Sequence, residues 1–199
     1  MSMRRIVAAP LVPLALVAAL LLPAVCFAHD GAAPAGAPDV RGDLLTWIQR
    51  GESELAQLAD AMPESTYAWR PGEGVRSVGE VFMHVAAANY GVPTFIGVPA
   101  PAGFKFETYE QSLTKKADIV KALHDSFAHM EAALKATSDA DLNKPAEFFG
   151  MKTTVRGAYF LLLSHVHEHL GQSIAYARMN KVVPPWTAKE QAAAAQKKP

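Results

Sequence analysis

The chain has 199 residues, half of them hydrophobic and only 19% charged. That is enough for one domain with a sizeable core, and it excludes a disordered polar chain. Nineteen basic residues are matched by nineteen acidic ones. No basic excess exists to neutralise a run of phosphates, so nucleic acid is not an expected partner.

The N-terminus reads as a secretory signal. Arg4 and Arg5 form a short positive region, Ile6 to Phe27 is almost wholly apolar, and small residues precede a cleavage site after Ala28. Pro10, Pro13 and Pro23 weaken the alternative, an uncleaved anchor helix. Val25 precedes Cys26 where a lipoprotein would need a small residue, so lipid attachment is not expected. The mature protein is therefore expected to be periplasmic or extracellular and free of the membrane. It also loses Cys26, the only cysteine, and with it any disulfide, thiolate ligand or cysteine nucleophile.

Residues 29–38 (HDGAAPAGAP) form a small-residue leader, and 187–199 form a polar, alanine-rich tail that frays or makes a short solvated helix. Between them, 39–186 is expected to be one helical domain. Four segments carry helical periodicity. The first, about 39–62, has Leu44, Leu45, Ile48, Leu55, Leu58 and Ala59 in one stripe and stops at Pro63. The second opens on a capping box, Ser77 with Glu80, and runs through Val78, Val81, Phe82 and Val85 towards Pro93.

The third, about 112–137, aligns Ile119, Val120, Leu123, Phe127, Met130 and Leu134. The fourth, about 154–179, aligns Tyr159, Leu162, Leu163, Val166, Leu170, Ile174 and Ala177, with Pro184 and Pro185 past its end. Four helices of similar length, each with one apolar stripe, predict an all-α four-helix bundle. The connections 63–76, 98–111 and 138–153 are long, as functional loops often are.

The chemistry lies in the histidines. The fourth segment contains SHVHEHLGQ, residues 164–172. At about 100° per residue, His165 and His169 share one helix face, one turn apart, whereas His167 points away. His84, on the second segment, sits within an apolar stripe, where an imidazole needs a partner for its ring nitrogens. If the two helices are neighbours, His84, His165 and His169 can hold one divalent ion and leave positions open. Zinc is the first expectation, with nickel or iron(II) as alternatives. The competing reading is three histidines satisfied by backbone or by Gln172 and Glu168.

Glu168 is the candidate catalytic residue, as a general base or as a partner for a ligand ring; it also reads as a plain exposed helix charge. Trp69 and Arg70 could contact substrate, and Tyr90, Tyr159 and Tyr176 read as core or pocket wall. His124 and His129 are five apart, not a ligand spacing, and read as solvated. The two Glu-x-x-His motifs of a di-iron bundle and the Cys-x-x-Cys-His of a c-type haem are absent.

These features in this order resemble the DinB-like family. Tyr67-Ala68-Trp69-Arg70-Pro71 leads to Ser77-Val78-Gly79-Glu80 and His84; later come His165-x-x-x-His169-Leu170-Gly171-Gln172, Tyr176, Arg178 and Pro184-Pro185. The resemblance covers about residues 40–186. It implies a bundle of up-down-down-up order, with His84, His165 and His169 as an open metal triad, and often a homodimer. It also implies chemistry on an unknown small-molecule substrate: hydrolysis, or transfer to or from a thiol. A non-catalytic metal- or ligand-binding module and a purely structural bundle are the alternatives.

Overall fold

The computed structural model describes residues 39–197. The expected signal at 1–28 and leader at 29–38 lie outside the described residues. Four long helices carry the fold: α1 (Val40–Ala61), α2 (Val78–Gly91), α4 (Lys116–Ala136) and α6 (Val155–Met179). Between them come the short helices α3 (Phe106–Tyr109) and α5 (Asp139–Leu142), and α7 (Pro185–Gln196) follows.

Local chemistry sets the helix ends. Asp39, Ser77 and Thr154 cap α1, α2 and α6 by accepting from a backbone N–H in the first turn. The capping box of α2 is complete: Ser77 Oγ accepts from Glu80 N–H, and Glu80 Oε2 accepts from Ser77 N–H at 2.7 Å. At the other end of α1, Pro63 cannot donate to the Ala59 carbonyl four residues back. The buried Tyr67 hydroxyl donates to it instead, at 2.8 Å. Lys116 Nζ donates to the Asp60 and Met62 carbonyls at 2.7 and 2.8 Å, so the first residue of α4 completes the end of α1.

Cross-helix contacts give the directions. α4 runs antiparallel to α1: Arg41 meets the Thr137 carbonyl, Gln49 meets Glu131, and Lys116 meets the last turn of α1. α2 runs parallel to α4, since Gly79 abuts Ile119 and Asn89 Nδ2 donates to Ser126 Oγ at 3.2 Å. α6 runs antiparallel to α2, with His84 beside His165 and Tyr176 beside Arg76. α1 and α6 are parallel, packing closely where Gly51 lies against Val166; a Cβ there would sit 2.6 Å from its Cγ1. The order is up-down-down-up. Each inner stripe joins one core, in which Ile48, Leu55, Leu58, Val85, Phe127, Met130, Tyr159, Leu162 and Val166 are fully buried. Among the described helices, none is long and apolar enough to cross a membrane.

The expectation of four helices of similar length is corrected at α2, which has 14 residues against 21 to 25 in the others. Pro93 turns the chain into a 3-10 helix over Val92–Ile96. The third long helix begins at Lys116 rather than near 112, because the preceding chain is folded into α3 and the turns after it. The loop 138–153 is more structured than periodicity indicated. It holds α5 and a hairpin of β1 (Pro145–Phe148) and β2 (Met151–Thr154), with Phe148 opposite Met151. Its two turn residues, Phe149 and Gly150, both have positive φ, 49° and 77°, the twist that suits a two-residue hairpin turn. The expected tail is helical over most of its length, and Pro185 takes the first helical position of α7.

Candidate metal centre

α2 and α6 are neighbours in the bundle and bring three imidazoles together. His84 and His165 Nε2 lie 3.1 Å apart. The ring centroids of His84, His165 and His169 are 4.4 to 4.9 Å apart in pairs. One donor nitrogen from each falls within 4.8 Å of the others, and among the described residues this is the one such group of ligand side chains. His169 is buried, and His84 and His165 are half-buried.

Hydrogen bonds fix which nitrogen is free. His84 Nδ1 lies 3.0 Å from Glu110 Oε2, and a carboxylate only accepts, so Nδ1 donates and Nε2 keeps its lone pair. His169 Nδ1 donates to Gln172 Oε1 at 2.7 Å, which frees its Nε2 in the same way. His165 Nδ1 is buried without a partner. Two ring nitrogens bound to one zinc in a tetrahedral arrangement lie roughly 3.3 Å apart, close to the spacing seen for His84 and His165. The donor set, the spacing and the tautomers fit a divalent metal ion.

Electrostatics favour the neutral form of His84 and His165, as metal ligation requires. Burial, then the neighbouring His169 and His84 and the Arg76 charge, push His165 down to about 3. Burial and Arg76 also lower His84, against the opposing pull of Glu110.

Two residues in this site escaped the sequence reading. Glu110 ends α3 and takes a two-pronged clasp from Arg76, Nε to Oε1 at 2.6 Å and Nη2 to Oε2 at 3.1 Å. Nothing in the periodicity marks either; each stands in a loop or at a loop edge, where only the tertiary fold supplies the partner. Gln172, weighed from the sequence as a contact of ligand or backbone, holds His169. Its Nε2 donates to the Tyr176 hydroxyl at 2.9 Å, and that hydroxyl donates to the Arg76 carbonyl at 3.2 Å.

The other candidates fall in different places. Glu168 lies on the exposed side of α6 and makes no hydrogen bond or ion pair among the described residues. Trp69 packs edge-on against Tyr176 with ring centroids 5.4 Å apart, and Arg70 binds Glu80 at 3.1 Å and the Val75 carbonyl. Tyr90, Tyr159 and Tyr176 are buried. His124 is half-exposed beside Glu52. His129, read as solvated, is half-buried, edge-on against Tyr90 with its Nε2 buried and unpartnered.

A polar cavity of about 470 Å³ lies beside the triad, lined by Arg70, Arg76, Glu80, Glu110, Gln111 and Gln172. It is bounded by Glu110 and Gln172, which hold His84 and His169 through Nδ1, so it lies on the tethered side of the rings, and none of the three histidines lines it.

A family model described as the DinB superfamily matches residues 48–173. Three solved structures share the fold. A DinB-like protein from Bacillus cereus is 19% identical, with 74% of this chain and 97% of that one covered at a TM-score of 0.65. The DinB-like protein YjoA from Bacillus subtilis is 18% identical, with 70% and 92% covered at 0.56. YfiT from Bacillus subtilis, described as a probable metal-dependent hydrolase with an unusual four-helix bundle topology, is 14% identical, with 76% and 94% covered at 0.59. No curated protein matches the sequence. The chain belongs to the DinB superfamily.

Proposed function

We propose that this protein is exported and binds one divalent metal ion through His84, His165 and His169, using it for hydrolysis or thiol transfer on a small molecule. The observation that carries this reading is the convergence of three imidazoles, two with Nδ1 committed to an acceptor. The description of YfiT as a probable metal-dependent hydrolase supports the same direction. Zinc is the proposed ion, since nitrogen ligands in an open three-residue set suit it; nickel and iron(II) follow. Export rests on the charged, apolar and small-residue stretches that end at Ala28.

A divalent ion at this position supplies a Lewis acid that lowers the pKa of a water or a thiol. The chain's own residues do the rest. Gln172 fixes the tautomer of His169. Glu110 fixes the tautomer of His84 in the same way, so both rings turn Nε2 towards the ion. Two carboxylates are candidates for proton handling: Glu168, exposed on α6, and Glu110, within hydrogen-bond reach of a triad ring.

The test is metal content of the purified protein beside a His84→Ala variant, followed by turnover assays with esters and with low-molecular-weight thiols. About one equivalent in the first and almost none in the second is expected. Saturable metal binding with no turnover on either substrate class would make the protein a binding module. No metal in either sample after reconstitution would remove the reading.

A further inference from the structure

Two of the three imidazoles are tethered, and both tethers end on one residue. From His84 the chain of contacts runs through Glu110 to the Arg76 guanidinium. From His169 it runs through Gln172 and the Tyr176 hydroxyl to the Arg76 carbonyl. Arg76 immediately precedes Ser77, the cap of α2, whose side chain and N–H are held by Glu80. Its backbone is therefore fixed by the capping box, and its guanidinium and its carbonyl each begin one tether. The Glu110 arm is anchored separately. Phe106 of α3 lies against Gly91, where a Cβ would come within 2.4 Å of the ring, and Tyr109 packs edge-on against Tyr90.

We propose that Arg76 is the positioning residue of the metal site, orienting His84 through Glu110 and His169 through Tyr176 and Gln172. The proposal rests on the metal-binding reading above and adds residues to it that do not touch the ion. The two arms differ in chemistry. Glu110 is an anion and makes His84 the more basic ligand, whereas Gln172 presents a neutral amide oxygen. His165 has no such partner on Nδ1, so it follows the other two. Loss of the carboxylate arm is expected to weaken metal binding more than loss of the amide arm.

The experiment measures zinc affinity by competition with a chelator, and ring tautomers of the metal-free protein by long-range nitrogen NMR. Glu110→Ala is expected to weaken zinc binding 10- to 100-fold and to leave His84 in mixed tautomers, with His169 unchanged. Tyr176→Phe should disturb His169 alone, with a loss of only a few fold. Glu110→Gln, which keeps an acceptor, should restore the single His84 tautomer while recovering part of the affinity. Arg76→Ala should fall between the wild type and Glu110→Ala, since it cuts the side-chain arm and leaves the carbonyl in place. Zinc affinity in Glu110→Ala within twofold of the wild type, with His84 unchanged, would overturn the proposal and leave the triad standing. Equal disturbance of both rings by both variants would also overturn it, marking a general loosening. A wild-type protein that binds no zinc would remove the triad and this proposal together.

Discussion

His84 and His165 are 81 residues apart in sequence, yet their Nε2 atoms approach to 3.1 Å. At that distance they either share a proton or share an ion. In the metal-free protein His165, with a buried and unpartnered Nδ1, donates through Nε2 to the free lone pair of His84. A metal on His165 Nε2 would shift that proton to the ring's own Nδ1, so His165 stays neutral. Zinc uptake by the neutral triad is therefore expected to release close to no protons from the rings, measurable by titration in buffers of different ionisation enthalpy. Release of two or more would mean that the rings are charged before binding.

His165→Ala is expected to take metal content from about one equivalent to near zero while leaving the helix content unchanged. Retention of a full equivalent would show that the ion, if any, sits elsewhere.

Stripping the metal should lower the melting temperature. At a free metal concentration 100 times Kd, binding contributes about 2.7 kcal/mol, roughly 5–10 °C for a domain of this size. Thermal melts with and without chelator give the answer, and identical melts would mark a structural bundle.

The metal-free protein should also lose stability in mild acid. His165 titrates near 3 when folded, and His84 and His129 are lowered too, chiefly by burial. The unfolded chain takes up these protons near pH 6.5, so it binds more protons than the folded chain below that pH. Stability is full above about 6.5 and falls as pH drops towards 3, by about 1.4 kcal/mol per pH unit for each group in its window. Urea midpoints measured between pH 7 and pH 4.5 would show it, and His165→Phe should flatten the slope. An unchanged midpoint over this range would contradict the burial of the rings.

Tyr67→Phe tests the end of α1. The hydroxyl meets the one carbonyl that Pro63 leaves without a helical donor, and the site is buried. Its removal should cost about 1–3 kcal/mol, read as a lower urea midpoint with metal affinity unchanged. A cost below about 0.5 kcal/mol would mean that water takes the place of the hydroxyl.

The histidines were legible in the sequence because helical spacing is a local property: residues four apart share a face wherever the helix goes. Gln172, three residues past His169, was legible for the same reason; the partner of His84 was not. Glu110 and Arg76 meet only because α3 folds back against α2, through contacts such as Phe106 on Gly91 and Tyr109 on Tyr90. Periodicity is blind to such contacts. The four long helices and the Ser77 capping box followed directly from pattern and cap chemistry. The 145–154 hairpin did not, because each strand has only four residues and Phe149 stands where glycine or asparagine would have announced the turn. His129 is only half-exposed, because Tyr90 of the neighbouring helix packs against it, which its own helix cannot tell.

The distance in sequence between His84 and the pair on α6 also bears on when the ion can arrive. A chain that ends before residue 165 holds one of the three imidazoles and none of the geometry. The last long helix must dock before a competent site exists, and closing so long a loop is costly until the core rewards it. On the proposed reading, metal uptake would thus be a late event in the making of this protein, and an ion held at full affinity would be a stamp of completed assembly.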